Sequence, residues 1–458
     1  MWDGTCWRID ENGEIFRRAK DTAASIYNEA RLASEDGNQE IAKKLALHAT
    51  QSQSATRIKA MIELAQSEPS IPLCTNELDK DNFLLNVSNG VVDLRTGRLR
   101  EPRRGDLITK QCPVAYFPKA EAPLFLSFLE CIFDGNQPLI DFLQRAIGYS
   151  FTGDTNEQCL FFLHGSGANG KSTLLNVIKR ILEGYSMQCS GETLMVKKNG
   201  SNISNDIARL RGARFVATSE IEDGQRLAES MIKQVTGQDT ITARFLFAEH
   251  FEFTPLFKIW LAANHKPVIR GDDYAIWRRI HLLPFTVTIP LADRDKKLGD
   301  KLGKESPGIL TWAVQGCLKW QRDGLKPPKE VLAATEQYKS EMDLVGSWIE
   351  ERCIIETNAT GQASVLYQNY KRWVENNGGV ALSSTKFGLK LVDRGFLKEK
   401  KGTILYEGIG LLNTDSLEGS EGFFESYRNT PDVRGLIEKP SEPSKLSRDE
   451  YLAASKGS

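Results

Sequence analysis

A glycine-rich segment that contains a lysine and two hydroxyl groups carries the most specific chemistry in the sequence. The segment reads Gly165, Ser166, Gly167, Ala168, Asn169, Gly170, Lys171, Ser172 and Thr173. It joins an apolar, strand-like run (161–163) to a run with apolar residues at helical spacing (174–181). Such a loop turns its backbone N–H groups toward a phosphate, and the following helix directs its positive end to the same place. The pattern therefore predicts an ATP site, with Lys171 at the outer phosphates and Ser172 on Mg²⁺.

Hydrolysis of a triphosphate requires a carboxylate near the metal ion and the attacking water. Glu220 follows the apolar run 214–219, which predicts a strand, and is the first candidate for the catalytic carboxylate and a second Mg²⁺ ligand. Glu222 lies two residues further on. The division of the metal and water roles between the two glutamates stays open.

Two further positions fit the catalysis of phosphoryl transfer. Asn264 ends the apolar run 257–263 and is predicted to sense the γ-phosphate, although asparagine is also a common cap or turn residue. Arg278 and Arg279 offer a cation for the negative charge that develops during transfer, as an arginine finger does. Arginine pairs are also common on surfaces, and spacing alone does not separate the two interpretations.

Composition narrows the class of protein. The 458 residues are 40% hydrophobic and 26% charged, with a formal net charge of -1, so nucleic-acid binding would have to come from local basic patches. No apolar run is long enough to span a bilayer, and the amino terminus lacks the apolar core of a signal peptide. We therefore expect a cytoplasmic protein without a membrane partner. The eight cysteines form no C-x-x-C pair, which indicates reduced residues rather than a zinc site.

The elements around the loop are predicted from periodicity. Residues 14–67 favour helices, and 82–101 favour a small β-hairpin that turns at Thr96 and Gly97. Two amphipathic helices precede the phosphate loop. After Pro327 a helical run, two further helices and two short strands around Gly402 give the order of a winged-helix module, and the polar composition after Leu412 predicts a disordered tail.

Three segments are candidates for DNA binding. The run 240–255 predicts a hairpin with Phe247 and His250 near its tip, a second loop carries Lys197 and Lys198, and the predicted wing carries Lys398, Lys400 and Lys401. For each there is a plainer alternative. The hairpin aromatics could pack in the core, the lysines could be solvated, and winged-helix modules also bind proteins.

The order of these motifs resembles the superfamily 3 helicases, and more closely the phage-, plasmid- and poxvirus-type primase-helicase family. The resemblance is carried by the phosphate loop, the strand before Glu220, the lysine-led motif 233–239, the strand that ends at Asn264, and the arginine-containing run 277–285. Segments 86–99 and 327–351 extend it over most of the chain. In one respect the chain departs from the commonest pattern, because Ser219 rather than a second acid precedes Glu220.

The resemblance implies an AAA+ type ATPase that works as a ring, usually a homo-hexamer. It implies that Lys171, Ser172 and Thr173 bind the nucleotide, and that Lys233 contacts either the nucleotide or DNA. It also implies that Arg279, or else Arg278, reaches the ATP of a neighbouring subunit.

Together these observations predict an α/β AAA+ P-loop core with a helical N-terminal region and a C-terminal winged-helix module. The predicted divisions are an N-terminal region (1–110), a helical collar (111–155), the core (156–326), the winged-helix module (327–412) and the tail (413–458). The expected function is an ATP-dependent replicative helicase of a phage or mobile element that acts on single-stranded or forked DNA, in the host cytoplasm if of phage origin. A primase or polymerase is the expected protein partner. A replication loader that does not unwind processively, and an AAA+ protein that moves polypeptide, are the alternatives.

Overall fold

A computed structural model describes residues 1–69, 71–196, 205–218, 221–270, 274–377 and 380–412. Lys197, Lys198, Glu220 and the predicted tail (413–458) lie outside the described residues. The chain divides into two units, residues 1–347 and 348–458. None of the helices described is both long and apolar enough to cross a membrane.

The N-terminal region begins with three helices, as predicted. They are α1 (Glu14–Glu35), α2 (Gln39–Ser52) and α3 (Ala55–Ala65). Their buried positions are mostly alanines, which lets the helices approach closely. A three-stranded antiparallel sheet follows, made of β1 (Leu84–Val87), β2 (Gly90–Asp93) and β3 (Arg98–Arg100). The predicted hairpin at Thr96 and Gly97 is confirmed as the β2–β3 turn, whereas β1 was not predicted as a separate strand.

The central part of the first unit alternates strands and helices. Its elements are α4 (Pro123–Ile132), α5 (Gln137–Phe151), β4 (Leu160–His164), α6 (Lys171–Leu182), β5 (Ser186–Cys189), α7 (Asn205–Ala208), β6 (Phe215–Thr218), α8 (Glu229–Thr236), β7 (Ile241–Arg244), β8 (His250–Phe253), β9 (Lys258–Ala263), α9 (Tyr274–Trp277), β10 (Ile280–Pro284), α10 (Leu298–Lys304), α11 (Ser306–Asp323) and α12 (Lys329–Met342).

Five of these strands form one parallel sheet in the order β10, β4, β9, β6, β5. From β4 the chain crosses to the far edge at β5, returns through β6 and β9, and ends at β10 on the other side of β4. Alternate residues of β4 enter two hydrophobic cores, Phe161 and Leu163 on one face and Leu160 and Phe162 on the other. The reversal of strand order beside β4 marks the edge where α/β sheets bind ligands.

A buried lysine anchors the first residue of β9 at the opposite end of the sheet. Lys258 is 1% exposed, and its Nζ donates to the carbonyl oxygens of Thr152, Asp154 and Leu256. Burial lowers the pKa of Lys258 to about 7, because the charged form loses its hydration. The carbonyl contacts fix where β9 starts, and so help to fix where its other end presents Asn264.

Helices α5 and α11 cross at glycines on both sides. A Cβ atom on Gly148 would lie 2.1 Å from the backbone nitrogen of Cys317, and one on Gly316 would lie 2.1 Å from the carbonyl oxygen of Gln144. Neither helix can move away without opening the core in which Phe142 and Ile309 are fully buried. The close approach explains why glycine occupies helix interiors at these two positions despite its low helix propensity.

We expect Gly148→Ala to destabilise the first unit by about 1–3 kcal/mol, because the added methyl group meets backbone rather than a movable side chain. The measurement is the urea midpoint of unfolding. Gly299→Ala is the matched control, since Gly299 also lies within a helix and a methyl group added there would have no described atom from outside that helix within 4 Å. Equal midpoints for the two variants would contradict the tight crossing.

The second unit contains short strands and helices. The segment from the end of the first unit onward comprises α13 (Leu344–Arg352), β11 (Cys353–Ile354), β12 (Thr360–Gln362), α14 (Ala363–Asn376), α15 (Ser384–Asp393), β13 (Leu397–Lys401), β14 (Thr403–Glu407) and β15 (Gly410–Leu411). The predicted strands around Gly402 are confirmed, and β12 adds a third strand to them in the order β12, β14, β13. Helix α12, predicted to begin this module, instead packs on β10 in the first unit, where Thr335 Oγ1 accepts from the Leu282 N–H at 3.1 Å.

Candidate nucleotide-binding site

The phosphate loop connects the carboxyl end of β4 to the first residue of α6. Gly165 has no room for a side chain, because a Cβ there would lie 2.1 Å from the carbonyl oxygen of Phe285. Gly170 has φ +85°, which an L side chain rarely adopts, and it directly precedes the helix. No described side chain caps the N-terminus of α6, so its first N–H groups are available to an anion. The loop therefore fits a phosphate group.

Lys171 is folded into this loop and is 5% exposed. Its Nζ donates to the carbonyl oxygens of Gly165 at 2.7 Å and Ser166 at 3.4 Å, and to Oδ1 of Asn169 at 3.1 Å. It also donates to Oδ1 of Asn264, at 3.1 Å. The predicted phosphate lysine and the predicted sensor, 93 residues apart in sequence, thus lie in direct contact.

Asn264 comes directly after β9, and β9 lies between β4 and β6 in the sheet. Asn264 lines an open cleft of about 350 Å³ together with Ile221, Glu222, Asp223 and His265. Glu222 therefore shares a cleft with the sensor, while Glu220 falls outside the described residues. Strand β6, which lies in the run predicted to precede Glu220, is separated from β4 by β9, and Asn264 follows the end of β9.

The segment after β10 supports the loop from its other side, which the sequence did not reveal. Asn169 is 3% exposed, and its Nδ2 donates to the carbonyl oxygen of Phe285 at 3.5 Å. Ser166 Oγ and Thr288 Oγ1 lie 3.2 Å apart, and Ile289 N–H donates to the Ala168 carbonyl at 2.9 Å. The pairing of β10 with β4 brings this segment to the loop. No local sequence motif predicts this contact.

His164, the last residue of β4, is also beside the loop. Burial lowers the pKa of its imidazole, and the nearby Lys266 and Lys171 lower it further. A neutral histidine adds no positive charge at this position near neutral pH. The imidazole therefore adds no charge to that of Lys171 beside the loop.

The two arginines before β10 have different surroundings. Arg279 is 7% exposed. Its Nε donates to Thr236 Oγ1 at 3.1 Å, and its Nη1 donates to the Ala275 carbonyl at 2.5 Å. Arg278 is exposed, and its Nη2 donates to Gln158 Oε1 at 2.6 Å. Arg279 is thus held inside its own chain, and of the two only Arg278 lies where a second molecule could reach it.

The predicted DNA-binding residues are spread over several surfaces. Strands β7 and β8 form the predicted hairpin, and Phe247 at its tip is 99% exposed, so this ring does not pack in the core. His250 is exposed at the start of β8, and Lys233 is half-buried on α8. Lys398 and Lys400 are exposed on β13, and Lys401 is its last residue.

Two family models match the chain. One, described as "D5 N terminal like", matches residues 1–134, and the other, described as a family of unknown function (DUF5906), matches residues 163–279 and so includes the phosphate loop. A protein of Acanthamoeba polyphaga mimivirus named "Putative helicase L207/L206" is 28% identical over 329 residues, which is 67% of this chain and 34% of that protein. Primase D5 of fowlpox virus is 27% identical over 136 residues, 29% of this chain and 17% of that protein.

The resemblance to the virus-type primase-helicase family is confirmed. The chain spans about a third of the length of the mimivirus protein that it matches. Among solved structures, the C-terminal region of NrS-1 aligns with 64% of this chain and 78% of its own, at 11% identity and a TM-score of 0.41.

Proposed function

We propose that the chain is an ATP-driven DNA helicase that acts in the replication of a virus, phage or other mobile element. The observation that carries the proposal is the contact between Lys171 Nζ and Asn264 Oδ1 at 3.1 Å, at the carboxyl edge of the parallel sheet. This contact joins a phosphate-binding loop to a polar group that could sense the γ-phosphate. The names of the relatives, helicase and primase, support an enzyme of DNA replication.

Each part of the nucleotide site has a proposed role. Residues 165–170 and the N-terminus of α6 hold the phosphates of ATP, and Lys171 contacts the outer ones. Ser172 and Glu220 are the proposed Mg²⁺ ligands; the ion would neutralise charge on the transferred phosphoryl group. Glu220 also orients the attacking water, with Glu222 as the alternative. Asn264 leaves Lys171 when the γ-phosphate arrives and turns to that phosphate.

The proposed assembly is a ring, with six subunits as the family pattern. Arg278 supplies the cation to a neighbouring subunit's ATP, because Arg279 is engaged within its own chain. A ring follows from the requirement that one subunit keeps its grip on the strand while another releases it. Contacts of the head-to-tail type close such a ring.

DNA is proposed to contact the β7–β8 hairpin, Lys233 and the second unit. The second unit is proposed to be a winged-helix module, because β12, α14, α15, β13 and β14 follow one another as that module requires. Lys398 and Lys400 are exposed on β13, and these two lysines and Lys401 are the proposed contacts to phosphates. A primase or polymerase partner is part of the same proposal.

The test is strand displacement with forked DNA of both polarities. We expect ATP-dependent release of the labelled strand from one polarity, and ATP hydrolysis that rises when single-stranded DNA is added. A non-hydrolysable ATP analogue is the control for passive opening. Stimulated hydrolysis without displacement from either fork would replace the helicase by the loader alternative, and hydrolysis indifferent to DNA would contradict both.

A further inference from the structure

The loop that joins β7 to β8 exposes large apolar side chains. Leu246 and Phe247 are 69% and 99% exposed, and Phe245 is 42% exposed. Single apolar residues are common on protein surfaces. Three in succession at the end of a hairpin form a contiguous apolar patch, which is typical of an interaction site. The patch is small and narrow, which suits insertion into a ligand better than a broad protein interface.

The backbone at Phe247 reinforces this interpretation. Its φ is +62°, and the turn is closed by Ala248 N–H donating to the Phe245 carbonyl at 3.0 Å. Glycine or asparagine usually occupies a turn position with positive φ, because a bulky side chain is strained there. The chain thus keeps a fully exposed aromatic ring where the fold alone would favour glycine.

The hairpin beneath the loop is built to hold it. Ile241, Ala243 and Phe253 are buried, and the ring of Phe251 lies between those of Phe245 and Phe253 with centroids 5.4 and 5.9 Å away. The guanidinium of Arg211 lies 5.4 Å from the centroid of the Phe251 ring. The aromatic stack supports Phe245, so the next two residues project from a fixed base.

Charge separates the tip from its base. Residues 245–248 contain no charged side chain, and Glu249 follows them, so the tip itself is unsuited to grip a phosphate. Arg244 and His250 face each other in the last strand pair below the loop, and both are exposed. Glu252 lies two pairs further from the loop, on the same face. An anionic, aromatic ligand would therefore meet apolar rings at the tip and the guanidinium of Arg244 just below it.

We propose that Phe247 and Leu246 bind single-stranded nucleic acid through the faces of its bases, while Arg244 contacts an adjacent phosphate. The proposal rests on the proposed function and specifies which part of the strand the hairpin reads. Stacking of a base on an aromatic side chain contributes about 1–3 kcal/mol and tolerates any base, since every base has a π-face. A polypeptide would also meet the apolar tip, but it offers no regular negative charge to Arg244 and Arg211.

The test compares Phe247→Gly with the unaltered full chain, by fluorescence anisotropy on two probes. One probe is an oligothymidylate, and the other has the same length and backbone but abasic sites throughout. We expect the variant to bind oligothymidylate about tenfold more weakly and the abasic strand as before, since only base contacts are lost. Glycine suits the positive φ, so the variant relaxes the turn rather than unfolding it. Phe247→Trp is expected to retain the preference for the strand with bases.

Arg244→Gln is the matched control for the phosphate contact. We expect it to weaken binding of both probes equally and to reduce the log–log salt slope by about 0.7, whereas Phe247→Gly leaves the slope unchanged. Equal losses on both probes for Phe247→Gly, or no loss on either, would overturn base stacking while leaving DNA binding intact. Failure of the unaltered chain to bind either probe, with binding of unfolded casein instead, would overturn the proposed function as well.

Discussion

Lys171→Ala is expected to reduce ATP hydrolysis by about 10³-fold or more. The substitution removes the cation from the outer phosphates, and loss of a single preorganised charge-stabilising group commonly costs about 10²–10³ in rate. It also removes the hydrogen bonds that Lys171 Nζ donates to the carbonyls of Gly165 and Ser166 and to Asn264, so the loop is held less firmly. Both effects act in the same direction, and the measurement is steady-state phosphate release with saturating ATP.

Lys179→Ala is the control for this experiment. Lys179 lies on the same helix, half-buried, and its Nζ contacts Gln188 Oε1 on β5 rather than the phosphate loop. We expect this variant to hydrolyse ATP at the ordinary rate. Because Lys171 is buried, circular dichroism and the urea midpoint should show that its alanine variant is folded. Near-ordinary turnover by a folded Lys171→Ala protein would end the nucleotide-site interpretation.

Removal of the Arg278 guanidinium is expected to lower hydrolysis by about 10³–10⁵-fold, the range typical of an arginine finger. If the finger acts on a neighbouring subunit, two inactive proteins should rescue each other. A mixture of Lys171→Ala and Arg278→Ala subunits contains interfaces with an intact loop on one side and an intact finger on the other. We therefore expect the mixture to regain part of the activity, and turnover per subunit of the unaltered chain to rise with its concentration.

Arg279→Ala separates this role from a structural one. Arg279 is buried and donates to Thr236 and Ala275 of its own chain, so its removal should lower the urea midpoint and give no rescue in the mixture. Loss of activity in Arg278→Ala without rescue, when the two subunit types are shown to co-assemble, would place Arg278 in its own subunit's site. Rescue by Arg279→Ala instead would reverse the assignment of the two arginines.

Local signals in the sequence were sufficient for the parts of the site that are contiguous. The glycine pattern and the apolar runs on either side placed the phosphate loop between β4 and α6. The β7–β8 hairpin followed from alternation of apolar residues on both arms. In each case the periodicity of one element and the residues at its ends carry the information.

The parts that depend on chain packing were not predictable in this way. Periodicity gives strands but no strand order, so nothing indicated that β9 separates β4 from β6 or that Thr288 reaches Ser166. Arg278 and Arg279 are adjacent, and which of them is buried depends on how the chain leaves α9. This helix has four residues and is too short to show periodicity. The strand β12 has three residues and was not predicted for the same reason.

Strand β10 connects the arginine pair to the segment that lies beside the phosphate loop. Its first residue follows Arg279, whose carbonyl accepts from Leu160 N–H at 2.7 Å, and the residue after its end, Phe285, donates to the His164 carbonyl at 2.7 Å and adjoins the phosphate loop. Its five extended residues span roughly 17 Å. In the proposed ring, an Arg278 that contacts a neighbouring subunit's ATP would be joined to the phosphate loop of its own subunit by this one strand. The order of hydrolysis could then pass from subunit to subunit without a separate hinge.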